Sequence, residues 1–286
     1  MNIVLTGAAG RLGSHLRGPL AAMADTLVSS DIVAGIDAPA DNERYVRADL
    51  AELAAMEALL AGADTVVHFG AIGDEAPFDD ILRANIVGAY NVWQAAHRCG
   101  VRRVVYASSI HAVGMHDRTA MIGIDAPHRP DTYYGLAKCF AEDLARMYWD
   151  KHRIEAVCLR ILSAAQVTSA RALGTWLSTR DLIQLVTRAI DTPSTGFAVV
   201  YGVSANDRAP VDNGGAAFLG YRPVDNAEAF AERVLADAPP EDVNDPAHRC
   251  LGGPFAAVEP GQSGLASMTI IDEAIDEAID RTVDPG

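Results

Sequence analysis

The chain has 286 residues, half of them hydrophobic, and carries a formal net charge of −15 at pH 7. That composition describes a globular protein large enough to bury a sizeable core, not a disordered one. The acidic balance repels phosphate backbones and excludes nucleic acid as a partner, and no apolar run reaches the roughly 18 residues of a membrane span.

In chain order, the N-terminal part alternates short apolar strands with amphipathic helices. The strands are Ile3–Thr6, Thr26–Ser30, Tyr45–Ala48, Thr65–Phe69, Arg103–Ala107 and Ala156–Ile161. The helices between them are Leu12–Met23, Leu53–Leu60, Phe78–Arg98 and Tyr133–Lys151. Continuous apolar strands of this length suit a sheet buried on both faces. The alternation implies right-handed βαβ crossovers and an α/β fold, a doubly wound parallel sheet of Rossmann type with a small C-terminal lobe. After about Leu162 the pattern loosens. Ser178 and Asp181 have the spacing of a capping box for a helix running to Ile190. Phe197–Tyr201 reads as a strand, and short helices follow near Gly214–Gly220 and Asn226–Leu235. Ile270–Asp280 spaces its apolar residues four apart, as an amphipathic helix would. Its acids lack interleaved bases, so it docks on the body or a partner subunit, or frays.

Gly7, Gly10 and Gly13 follow the first strand and open the first helix. A glycine turn lets the backbone approach a pyrophosphate, and the helix N-terminus offers free N–H groups and partial positive charge. Asp31 ends the second strand, where a carboxylate can accept bonds from ribose hydroxyls. Asp49 could reach the adenine edge or equally cap a helix. The cofactor expected is therefore NAD. Asp31 would repel the 2′-phosphate of NADP, and Ile32–Ile36 supplies no cation to receive it.

Tyr134 and Lys138 are four apart at the start of a helix, with Asp131 and Thr132 as candidate caps, so phenol and ammonium share one face. A nearby cation lowers a tyrosine pKa and helps it act as a base. Ser108 and Ser109 end a strand upstream. None of the remaining histidines shows metal-ligand spacing, and no metal is expected. Cys99, Cys139, Cys158 and Cys250 form no CxxC pair and read as free thiols of a cytoplasmic protein. No secretory signal is visible at the N-terminus.

The sequence resembles the extended short-chain dehydrogenases, and within them the uronate dehydrogenases. The general likeness lies in Thr6-Gly7-Ala8-Ala9-Gly10-Arg11-Leu12-Gly13, Asp49-Leu50, Val67-His68-Phe69-Gly70, Asn85, Ser108-Ser109 and Tyr134-x-x-x-Lys138. The closer likeness lies in Tyr134–Phe140, Leu144–Tyr148, Leu173–Trp176, Ser204–Asp207 and Asp225–Phe230. The resemblance covers roughly residues 2–235. It implies a dinucleotide site of Gly7, Ala9, Gly10, Arg11, Leu12, Gly13, Asp31, Asp49 and Leu50 with Tyr134 and Lys138. It implies that Ser109 orients the reacting oxygen, Tyr134 is the general base, Lys138 holds the nicotinamide ribose and Asn85 supports the site. His111, Ser163 and Arg171 match positions lining a sugar-acid pocket. A guanidinium suits a carboxylate, although Arg171 could instead be a surface arginine in a loop. Two positions depart from the family, Gly73 where it has serine and Ile110 where it has asparagine, both facing the substrate there.

The expected organisation is a nucleotide-binding core with the catalytic residues over 1–162, a substrate lobe with returning elements over 163–260, and an acidic tail over 261–286. The expected reaction is oxidation of the anomeric hydroxyl of a small-molecule hexuronate to a lactone, by a homo-oligomeric enzyme. The alternatives are a dehydrogenase for a neutral aldose or less polar secondary alcohol, and a dinucleotide-binding protein without catalysis.

Overall fold

A computed structural model of the chain describes residues 1–236, 238 and 240–267. The tail helix expected over Ile270–Asp280 lies outside the described residues. Strands β1 (Asn2–Thr6), β2 (Thr26–Asp31), β3 (Glu43–Arg47), β4 (Thr65–His68) and β5 (Arg103–Ser109) are followed by the two-residue β6 (Ile122–Gly123). Then come β7 (Glu155–Ile161), β8 (Phe197–Gly202) and the two-residue β9 (Val211–Asp212). Seven strands form one parallel sheet in the order β3-β2-β1-β4-β5-β7-β8, while β6 pairs with β9 apart from it. The order reverses between β1 and β4, and the crevice beyond the carboxyl ends of those strands is where such sheets bind ligands.

The helices are α1 (Arg11–Met23), α2 (Leu53–Leu60), α3 (Phe78–Ile81), α4 (Gly88–Cys99), α5 (Tyr133–His152), α6 (Ala172–Thr175) and α7 (Thr179–Asp191), of which α1, α2, α4, α5 and α7 cover the sheet. Alternate side chains of each strand point to opposite faces. Val4, Val66, Val104 and Ala156 therefore pack with α2, α4 and α5 residues such as Met56, Trp93 and Leu144. Ile3, Leu5, Val67, Val105 and Val157 pack with α1 and α7 residues such as Leu16, Leu20 and Leu185. The strand β8 belongs to this sheet, so the C-terminal part of the chain returns to the core before it covers the cleft.

Two sequence expectations shift at the boundaries. The helix expected over Phe78–Arg98 is interrupted by a π-helical turn, Leu82–Val87, between α3 and α4. The expected box at α7 is half formed. The Ser178 hydroxyl accepts from Asp181 N at 3.0 Å, but the Asp181 carboxylate turns away to accept from Val224 N and Asp225 N.

Two buried ion pairs stitch the layers together. Arg103 is fully buried on β5, binds Glu155 and donates to the carbonyls of Ala189 and Ile190 at the end of α7. Glu142 on α5 accepts from Arg160 on β7, Ser108 on β5 and His128. Each charge is fully paired, which a buried ion needs if it is not to destabilise the fold.

Candidate active site

The chain leaves β1 at Thr6 and turns at Gly7, whose φ of +74° favours glycine. A Cβ on Gly7 would lie 2.5 Å from the Phe69 carbonyl carbon, and one on Gly13 would lie 2.0 Å from Gly7 O. The turn is thus packed backbone on backbone. Helix α1 begins with no side-chain cap and no acid in its first turn. Its leading N–H groups and the positive end of its dipole remain for an anion. Beyond the turn lies a cavity of about 550 Å3, lined by Gly7, Ala9, Gly10, Asp31, Asp49 and Leu50 among others. Asp31 is fixed at its rim, one oxygen accepting from Ala9 N at 3.0 Å and the other from Ile32 N at 2.7 Å. A carboxylate retains acceptor capacity after two such bonds. Asp49 accepts from Ala51 N at 2.9 Å and from Arg83 at 2.7 Å. It caps a turn ahead of α2, whose own N-cap is Glu52. An uncapped helix end, a glycine-rich turn and an acidic rim fit a dinucleotide.

A second cavity of about 440 Å3 shares Gly7, Gly10, Phe69 and Ala71 with the first and adds Arg11, Leu12 and Gly13. It is lined by Ser109, Tyr134 and Lys138. Ser109 is the last residue of β5, and its hydroxyl accepts from His111 N at 3.3 Å. Its side chain also acts to lower the pKa of the Tyr134 phenol. Helix α5 starts because Thr132 caps it, accepting from Gly135 N at 3.0 Å. Tyr134 therefore occupies its first turn and Lys138 its second. The Lys138 ammonium donates to Ala107 O at 2.7 Å and lies 5.2 Å from the centre of the Tyr134 ring.

Burial dominates the electrostatics of this pair. It pushes the Tyr134 phenol up to about 12, against the lowering by Ser109, and pushes Lys138 down to about 7, against the field of Glu142. The net shift of the tyrosine in the free site is thus upward, opposite to the lowering expected from a nearby cation, because its loss of solvation dominates.

The far wall carries His111, Ser163, Arg171, Gly73 and Phe255. The His111 ring bonds Asp131 through Nδ1 at 2.8 Å and stacks on Phe255 at 4.0 Å between centroids. A carboxylate only accepts, so Nδ1 carries the proton and Nε2 remains for a ligand. Arg171 donates to Ser163 Oγ at 3.1 Å and to Leu251 O at 2.6 Å. Burial lowers it to about 10, so it stays a cation at neutral pH. Among the described residues Arg171 forms no ion pair.

A model of the NAD dependent epimerase/dehydratase family matches residues 3–165. A uronate dehydrogenase of Pseudomonas putida is 43% identical over 259 residues, covering 90% of this chain and 96% of that protein. A solved structure of a mutated uronate dehydrogenase is 40% identical with a TM-score of 0.87, covering 99% of both chains. A mutant of the Agrobacterium tumefaciens uronate dehydrogenase, solved in complex with NAD, is 42% identical with a TM-score of 0.85, covering 90% of this chain and 97% of that one. The chain belongs to the epimerase/dehydratase family.

In this epimerase/dehydratase the cleft gathers most of the residues expected from the sequence but leaves two outside. Ile110 is fully buried and packs with Val113, Leu162, Tyr201 and Leu251, away from the cleft. It is a core residue, because the tight turn after Ser109 points it inward, and an asparagine there would bury an amide among apolar groups. Asn85 is also buried behind the cleft. Its amide accepts from Ile72 N at 2.8 Å and donates to Ile72 O at 3.0 Å. It holds the loop that carries Gly73 instead of touching a reacting atom. The alternative of a surface loop for Arg171 fails too, since its guanidinium lines the cavity. Residues that the sequence reading missed are Arg83 at the nucleotide cavity, and Asp131, Glu75, Phe255 and Leu265 around the second cavity. Only Asp131 carried a signal, as a candidate cap.

Proposed function

We propose that this NAD-dependent oxidoreductase oxidises a hexuronate at its anomeric hydroxyl to the lactone. The observation that carries the proposal is Arg171, a cation that makes no direct ion pair among the described residues and feels the Asp131 carboxylate only at longer range, in the same cavity as Tyr134 and Ser109. An acidic substrate would complete its charge with a bidentate bond. The uronate dehydrogenases at 43% identity support the same reading.

NAD, when bound, supplies the hydride acceptor. The Tyr134 oxygen receives the hydroxyl proton. Ser109 holds that hydroxyl in line, and the Lys138 ammonium favours the phenolate as the site fills. His111, fixed by Asp131 and Phe255, offers Nε2 to a neighbouring substrate hydroxyl. The second reading, a neutral aldose or less polar alcohol, is favoured by Gly73, Phe255 and Leu265, which line the cavity without a polar side-chain atom.

We also assign the chain to a homo-oligomer. Leu136, Phe140 and Met147 form an exposed apolar stripe on α5 near exposed Leu82 and Tyr90, a face that suits a second copy. The four free thiols support the cytoplasm as its compartment. Sedimentation velocity tests the assembly, and a monomer at micromolar concentration would refute it.

The decisive test is NADH formation in a screen of uronates, neutral aldoses and alcohols, run with wild type and Arg171→Ala. The expected result is oxidation of uronates, with a loss of about ten- to a hundredfold in kcat/KM on removing the charged bond. Neutral aldoses should change little. Equal losses for acids and neutral sugars would show that Arg171 reads no carboxylate.

A further inference from the structure

The segment after residue 260, read from sequence as the start of an acidic tail, begins bound to the catalytic machinery. Glu75 is buried. One of its oxygens accepts from Tyr134 N at 2.7 Å, and the other accepts from both Tyr133 N at 3.2 Å and Gly261 N at 2.7 Å. Its neighbour Asp74 accepts from Gly264 N at 3.0 Å, from Leu265 N at 3.2 Å and from the Ser263 hydroxyl. Gly264 lies flat on the Phe255 ring, where a Cβ would come within 2.5 Å of that ring. Leu265 lines the same cavity as Tyr134 and packs in one apolar cluster with Tyr134 and Phe255.

We propose that residues 261–265 form a wall of the substrate pocket, with Leu265 as a specificity-determining residue and Asp74 and Glu75 as positioning residues that register this wall on the helix carrying Tyr134. One carboxylate satisfies both the first amides of α5 and the strap. A helix N-terminus favours a negative partner, so the same bond that steadies Tyr134 also holds the wall. Leu265 supplies apolar surface, which stabilises a substrate face poor in hydroxyls and disfavours one rich in them. The proposal rests on the functional reading above only for the identity of the substrate.

The test measures kcat, KM and the NAD dissociation constant for full-length Leu265→Ala, Glu75→Ala and Glu75→Gln. The substrate is whichever compound the wild-type enzyme oxidises best. Rates of proteinase K cleavage within 257–267 are followed by mass spectrometry. Leu265→Ala should raise KM about fivefold or more, exceed any change in kcat and change the ratio between acidic and neutral sugars. Glu75→Ala should raise KM about tenfold, lower kcat and speed strap cleavage about tenfold, while NAD affinity stays within twofold. Glu75→Gln should recover part of each. If Glu75→Ala does not fold, Asp74→Ala removes the acceptor of the Gly264 and Leu265 amides while Glu75 still caps α5, and must speed cleavage by itself. A KM within twofold of wild type in Leu265→Ala, or unchanged strap cleavage in the carboxylate variants, overturns the proposal. Failure to oxidise uronates overturns the functional reading instead, and strap cleavage still decides this one.

Discussion

The nucleotide half of the cleft and the substrate half are built in opposite ways. The nucleotide half comes mostly from one contiguous stretch, the β1 turn through Asp49, with its glycines forced by backbone contact. The substrate half is assembled from four stretches distant in sequence, around Gly73, Ser109, Ser163 and Phe255. A site of the first kind is written in local spacing. A site of the second kind exists only once the sheet and its returning segments have packed.

Tyr134 stands where the halves meet, so it gives the largest expected effect. Tyr134→Phe should cut turnover by ~10²–10⁴, the usual worth of a positioned acid or base. NAD affinity, read by protein fluorescence, should not move. Near-normal turnover would remove Tyr134 from the chemistry.

Asp31→Ala acts on the nucleotide half alone. It should narrow the preference for NAD over NADP by roughly a hundredfold, since an uncompensated like-charge contact costs several kcal/mol. The substrate KM should stay within twofold. Equal efficiency of the wild-type enzyme with both cofactors would break the assignment.

Gly73→Ser acts on the substrate half alone. A Cβ at Gly73 meets nothing within 4 Å, so the hydroxyl enters at no packing cost. It should raise uronate kcat/KM by up to about tenfold, the worth of one added hydrogen bond. A gain matched by tighter NAD binding would show that the two halves are not separable.

The smallest effect lies behind both halves, at His128. Its hydrogen bond to Glu142 raises the imidazole pKa above 6.5, against partial burial. A group whose folded pKa is raised stabilises fully below its unfolded pKa, and that contribution fades as pH rises through the folded value. His128→Gln should therefore lower stability more at pH 5.5 than at pH 9, by less than about 1 kcal/mol. Urea melts at the two pH values measure it, and a larger loss at pH 9 would reverse the sign.

The parallel sheet, its helices and the Tyr134–Lys138 pair were legible because each is a local pattern: buried apolar runs, a capped helix, a spacing of four. The fate of Ile110 was not, since one residue past Ser109 a tight turn decides which side chain faces the cleft. Asn85 was legible as important but not as a clamp on Ile72, because its partner lies on another element. Asp74 and Leu265 meet across 191 positions, and no periodicity encodes such a contact. The direction of the Tyr134 pKa was missed because spacing reveals a nearby cation but not the loss of water that outweighs it.

The π-helical turn at Leu82–Val87 sets a rule about chain length. Each residue of an α-helix advances the direction of a side chain by ~100°, and a π turn absorbs one extra residue within an otherwise α-helical stretch. Asn85 faces Ile72 from within that turn. Removing one residue anywhere between Phe78 and Gly88 would relax the turn to ordinary helix and swing Asn85 away from the loop bearing Gly73, Asp74 and Glu75. A single-residue gap in this stretch therefore disturbs the site even where it spares Asn85 itself.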